Sequence, residues 1–159
     1  MEKVTIGING KDRIEVEKGT FVYEIAKKFQ KYYKTEIVIA KSGNVLIELG
    51  SRIEKSMDID FVDLTNQDGI YVYSRSLSLV MVKAIKDLFG IETKISIEHS
   101  INGNLYCEVK GDNITVDNEF LNKVKKEMQM TIDRNMPIER IMLSSDDAME
   151  YASKYGMED

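Results

Sequence analysis

One histidine and one cysteine are the chain's whole stock of imidazole and thiol in 159 residues. Apolar alternation puts His99 and Cys107 on facing strands of one hairpin, with both side chains on the same face. A zinc site takes three or four ligands. The near carboxylates, Glu98 and Glu108, are turned by the same alternation to the opposite face, so no metal site is expected. A Cys–His nucleophile pair is conceivable, but it needs an orienting group and a stabilised oxyanion. Neither is evident here. A half-buried histidine beside a small core cysteine is the plainer reading. The expectation is a chain that performs no metal-dependent or histidine-based chemistry by itself.

Three other groupings could carry binding. Gly7-Ile8-Asn9-Gly10-Lys11 has the glycines and lysine of a phosphate loop but not the spacing. A P-loop needs G-x-x-x-x-G-K-[ST] between a strand and a helix, so that backbone N–H groups converge on phosphate. Here Asp12 follows the lysine and the setting is a hairpin, so the stretch reads as a turn. Lys27, Lys28, Lys31 and Lys34 form the one basic cluster, beside the apolar face of a helix. They suit a solvated face, or a docking patch for RNA phosphates or an acidic partner. Tyr71, Tyr73, Arg75 and Tyr106 combine tyrosine with arginine, which favours interfaces and base stacking. The same tyrosines could instead close the edge of a core.

Composition narrows the class. Apolar residues make up 43% and charged residues 31%, a balance of folded, non-disordered chains. The length suits one ordinary domain or two small ones. No apolar run approaches the roughly 20 residues that span a bilayer. MEKVTIGING has no signal-peptide core, and a lone cysteine excludes an internal disulfide. A cytoplasmic location is the expectation. The net charge is −5, and it sits in residues 67–159, with 11 basic and 16 acidic residues against 11 and 11 before them. Tight independent nucleic-acid binding usually comes with a basic excess, so any RNA contact would need a local patch.

The elements that must position these residues are legible in the periodicity. Val4, Ile6 and Ile8, then Asn9-Gly10, then Ile14 and Val16 read as a β-hairpin. Thr20 is placed to cap a helix over about 21–32, with Phe21, Ile25 and Phe29 on one face. Strands follow at 37–40, 45–47 and 59–64, an α+β sheet wrapped on one helix. Thr65-Asn66-Gln67-Asp68-Gly69 is turn-forming and divides domains 1–65 and 70–159. A helix over about 71–89 ends at Gly90. A second hairpin turns at Asn102-Gly103-Asn104. Asp117 caps a helix to about Arg134, with Leu121, Val124, Met128 and Ile132 inward, and Pro137 follows its end. Ile138, Ile141 and Leu143 read as a strand. Ser144-x-x-Asp147 resembles a capping box that opens a last helix, stopped by Gly156. No internal repeat or low-complexity tract appears.

The stretches Val16-Glu17-Lys18-Gly19-Thr20, Ile39-Ala40-Lys41 and Leu49 onward to Asp60-Phe61-Val62 make residues 1–64 resemble a TGS domain, a ubiquitin-like β-grasp module. Ala84-Ile85-Lys86-Asp87-Leu88-Phe89, Lys94 to Ile101, Asn102 to Glu108, and Met136-Pro137-Ile138-Glu139-Arg140 through Gly156 make residues 71–159 resemble the second N-terminal, editing domain of threonyl-tRNA synthetases. That family hydrolyses mischarged seryl-tRNA with an H-x-x-x-H pair on the first helix and a later C-x-x-x-H. The two histidine places fall on Arg75 and Leu79, and the later pair would lie beyond Asp159. The resemblance thus carries over no editing ligand. His99, Cys107 and Arg75 are the groups left to test for a rearranged editing site. Arg75-Ser76-Leu77-Ser78 and Ile97-Glu98-His99-Ser100 look like the N-terminal half of bacterial proteins in which a uridine-kinase-like domain follows. That likeness implies an N-terminal fragment with no cofactor of its own, with ATP and Mg²⁺ belonging to the missing kinase part. The implied role is a regulatory or binding module. RNA or a small nucleotide, the missing C-terminal domain and a second copy are its expected partners, and no membrane is.

Overall fold

The computed structural model describes residues 2–101, 104–111, 114–136, 138 and 140–155, with the backbone alone for His99, Ser100, Ile101 and Asn104. The expected Asn102-Gly103 turn, Pro137 and the Gly156 stop lie outside the described residues. The chain is α+β and divides into two compact units, Met1–Ser76 and Leu77–Asp159.

In the first unit, β1 (Lys3–Ile8) and β2 (Asp12–Glu17) form the expected hairpin. Asn9 and Gly10 both take positive φ, 52° and 65°. Those angles match the strand twist of a two-residue hairpin, which is why Asn-Gly is favoured there. After α1 (Val22–Phe29) and a 3₁₀ turn over Gln30–Tyr32 come β3 (Ile37–Ser42), β4 (Val45–Ile47) and β5 (Met57–Asp63). The sheet order is β2-β1-β5-β3-β4. β5 enters the centre, parallel to β1 and antiparallel to β3. Ile6, Ile8, Ile25, Val22, Ile53 and Ile59 are essentially inaccessible and form the middle of the core. The buried face of α1 is Val22, Ile25 and Ala26 with half-buried Phe29, at helical spacing. Phe21, expected on that face, precedes the helix and stacks on Tyr23 instead.

The helix expected from residue 71 begins earlier. α2 spans Gln67–Phe89. Asn66 accepts the Asp68 N–H on its Oδ1 at 2.9 Å and the Ile70 N–H on its carbonyl at 3.0 Å. The polar stretch read as a turn thus ends in an N-cap. Gly69 is needed there, because a Cβ would lie 2.1 Å from the Asp63 carbonyl oxygen. The division between the units falls inside α2, between Ser76 and Leu77.

In the second unit, α2 stops at Gly90, whose φ of 97° lets its N–H close on the Lys86 carbonyl. β6 (Lys94–Ile101) and β7 (Asn104–Lys110) pair antiparallel. α3 (Asn118–Asp133) is capped as expected, with Asp117 Oδ1 accepting the Phe120 N–H at 2.8 Å. Its buried residues are Phe120, Val124 and Thr131, whereas Leu121 and Ile132 are exposed. The inward face is rotated from the expected one because Phe120 stacks on Phe89, with ring centroids 4.8 Å apart. The expected strand at Ile138, Ile141 and Leu143 is absent from the described residues, which take no regular pairing there. α4 (Ser145–Lys154) opens on Ser144, whose Oγ accepts the Asp147 N–H at 3.2 Å. Among the described residues, no helix is long and apolar enough to cross a membrane.

Candidate nucleic-acid interface

The start of α1 is built by the chain that follows it. Four N–H groups at a helix N-terminus lack helical partners. Thr20 does not supply the cap: its hydroxyl donates to the Glu17 carbonyl at 2.6 Å. Instead the Val22 N–H donates to the Ser51 carbonyl at 3.0 Å, and the Tyr23 N–H to the Leu49 carbonyl at 2.8 Å. Phe21 and Arg52 form an isolated antiparallel bridge. This pairing sets the Arg52 guanidinium over the Phe21 ring, 3.9 Å from its centroid. Arg52 Nη1 also donates to the Gly19 carbonyl at 2.9 Å. Phe21 stacks on Tyr23 at 5.3 Å and 25°, and Lys27 Nζ lies 5.2 Å from the Tyr23 ring centroid. Cation, ring, ring and cation thus form a ladder across the start of the helix.

The lysines predicted as a basic cluster continue this surface. Lys27, Lys28, Lys31 and Lys34 are all exposed. Lys31 Nζ lies 5.0 Å from the ring of Tyr32, which is 69% exposed. Lys27, Lys28 and Lys31 form no ion pair with a carboxylate among the described residues. The neighbouring Tyr33 is structural. It accepts an Asn9 Nδ2 hydrogen bond at 2.6 Å, and burial raises its pKa.

The tyrosine–arginine group divides between the two units. In the first, Arg75 Nη1 donates to Tyr71 Oη at 2.9 Å, one helical turn away, and Tyr73 is exposed. In the second, Tyr106 donates to Glu108 at 3.3 Å, and Glu108 pairs with Lys110 at 2.8 Å. The charge of Glu108 pushes the Tyr106 pKa up, and Lys110 holds the Glu108 carboxyl below its ordinary range.

Cys107 is half-buried, and burial raises its pKa, away from the thiolate that a nucleophile needs. The backbone of His99 lies in β6, and its side chain lies outside the described residues. Ile97 pairs with Cys107 and Ser100 with Leu105, so β6 carries one extra residue between them. This bulge interrupts the alternation used to place His99 on the face of Cys107. Leu79, at the second family histidine place, is 51% exposed on α2. It lines an apolar groove with Val80, Ile132, Met136 and Ile138. Among the described residues, no three His, Cys, Asp or Glu side chains gather as a metal site would require.

No family model matches the chain. Among curated proteins it is 30% identical over 143 residues to the threonine–tRNA ligase of Halalkalibacterium halodurans, covering 89% of this chain and 22% of that enzyme. The threonine–tRNA ligase of Caldanaerobacter subterraneus is 27% identical over 137 residues, covering 86% of this chain and 21% of the enzyme. That of Staphylococcus aureus is 27% identical over 153 residues, with 96% and 23% covered. The chain is thus similar to threonine–tRNA ligases over most of its own length. It spans about a fifth of the length of the curated relatives it matches. The likeness runs through both units, because each match is longer than either unit alone.

The lysine cluster was visible from the sequence, but the Arg52–Phe21–Tyr23 stack was not. Phe21 and Arg52 are far apart along the chain and carry no shared period. The one signal is that Phe21 and Tyr23 flank Val22 at the start of a helix.

Proposed function

We propose that the chain is a non-catalytic RNA-binding module of a threonyl-tRNA-synthetase-like protein, TGS-like in residues 1–65 and editing-like in residues 70–159. The carrying observation is the α1 surface, where exposed Lys27, Lys28 and Lys31 lack carboxylate partners among the described residues and alternate with aromatic rings. Phosphate neutralisation by such lysines drives nucleic-acid binding, and rings add base contacts. The second part of the chain carries the whole net negative charge, so RNA is better accepted by the first unit. The order β2-β1-β5-β3-β4 over one helix supports the TGS reading. The relatives favour the synthetase side of the expectation over the kinase side. ATP and Mg²⁺ have no role in this reading.

The non-catalytic part rests on what stands at the family's editing places. Arg75 remains protonated and cannot act as a general base, and it is engaged with Tyr71. Leu79 offers no ligand or base. The test uses a labelled tRNA acceptor-arm RNA and anisotropy across a salt series. Binding is expected to weaken as salt rises. Replacing Lys27, Lys28 and Lys31 together by Ala is expected to reduce the log–log salt slope by roughly 0.7–0.9 for each phosphate no longer neutralised. Binding that ignores salt, or none at all, would overturn the RNA reading. Hydrolysis of seryl-tRNA by the chain, abolished by His99→Ala, would overturn the non-catalytic part.

A further inference from the structure

We infer that the Arg52–Phe21–Tyr23–Lys27 ladder is a stacking platform for an unpaired nucleobase, so that the RNA this surface takes is single-stranded at the point of contact. This rests on the RNA reading above and specifies the ligand for the same surface. The guanidinium of Arg52 lies close enough on Phe21 to bring its carbon within 3.9 Å of the ring centroid. Arg52 is itself exposed. A guanidinium plane backed by a ring on one side can receive a base on the other, as arginine planes do in single-strand recognition. The geometry is set before binding. Nη1 is tied to the Gly19 carbonyl, and the backbone bridge to Phe21 holds the residue in register. Less side-chain entropy is then lost on association.

The remaining rungs supply the rest of a nucleotide site. Tyr23 is 38% exposed and stacked on Phe21, and Lys27 Nζ stands 5.2 Å from its ring centroid, so positive charge for a backbone phosphate lies on the same surface as the platform. Lys28 and Lys31 carry positive charge on along the helix surface, where further phosphates would run. Along its length a duplex offers no base face to such a platform, because its bases are already stacked on each other. Only an unpaired segment does.

The decisive variant is Arg52→Lys, which keeps the charge and removes the plane. Base stacking contributes about 1–3 kcal/mol per base, which is roughly a 5- to 150-fold change in affinity. The affinity of the full chain for a single-stranded oligoribonucleotide is expected to fall within that range, while the salt slope and the affinity for a duplex of the same sequence stay unchanged. Phe21→Leu, which removes the ring beneath the guanidinium but keeps apolar volume, is expected to lose part of the same affinity. Thermal unfolding of both variants checks that the unit stays folded. Salt-sensitive binding that is equal for single strand and duplex and indifferent to Arg52→Lys overturns the stacking proposal and leaves the RNA reading standing. Absence of RNA binding by the unaltered chain removes both.

Discussion

The two units solve the same problem of covering apolar surface with very different success. Among the described residues, twelve buried apolar residues form the core of the first unit and four form that of the second. A five-stranded sheet presents a whole alternating face to α1, so every second residue of the central strands is covered at once. Among the described residues, the second unit has one two-stranded hairpin to set against its helices. A lone hairpin is marginal without such support, and small cores are marginal in general. The unmet surface shows in Met142, 82% exposed, and in Ile138 and Ile141 beside it. The candidate interface therefore stands on the firmer unit. Its helix is anchored by Val22, Ile25 and Ala26 at once.

The difference between the units is tested most directly at Phe120. Phe120→Ala removes one of the four buried residues and its stack on Phe89, at a cost of about 3–5 kcal/mol. Loss of amide protection in the second unit is expected, with the first unit still folded by hydrogen exchange. Equal loss in both units would mean that they unfold together. Ile25→Ala, at a fully buried site under the lysine surface, is expected to cost about 2–5 kcal/mol and to weaken RNA binding through the first unit alone. A denaturant titration followed by tyrosine fluorescence measures it. Asp117→Ala removes the cap of α3, for about 1 kcal/mol. Because the second core is thin, even that change should lower its melting temperature visibly, whereas Asp117→Asn, which can still accept the Phe120 N–H, should keep most of the stability.

The smallest effect concerns pH. Asp63 accepts the Thr65 hydroxyl at 2.5 Å and the Thr65 N–H at 3.0 Å, and the Thr35 N–H reaches its other oxygen at 3.4 Å. These bonds, the Thr65 hydroxyl foremost, hold its carboxyl below the ordinary range. The folded value is depressed, so the stabilisation is present above the unfolded value and is lost as pH falls from about 4 through the depressed value. Melting of the first unit is expected to drop more steeply over that window in the unaltered chain than in Asp63→Asn. Parallel curves would show that Asp63 adds nothing to the difference between the units.

Much of the local structure was legible because its signals span only a few residues. Asn9-Gly10, Gly90, Asp117 and Ser144 each act on groups within about four positions, and each stands where the pattern placed it. Asn66 was legible in principle as an N-cap but was masked by the turn-forming residues around it. The lysine cluster followed from helical spacing. The apolar residues at 138–143 misled because alternation marks a strand only where a partner edge exists, and the described residues supply none.

What the sequence by itself determined is the α+β class, both hairpins, the Gly90 stop of α2, the Asp117 and Ser144 caps, and Lys27 and Lys28 on α1. These depend on propensity, period and short-range hydrogen bonds. The tertiary structure alone decided that β5 enters the sheet beside β1, that the carbonyls of residues 49 and 51 start α1, and that Arg52 lies on Phe21. It also decided that a bulge falls beside His99. The physical reason is separation. Apart from the bulge, whose strand partners lie five to ten positions apart, such contacts join residues tens of positions apart, whose pairing depends on how the whole sheet closes over its core and leaves no mark in the local pattern.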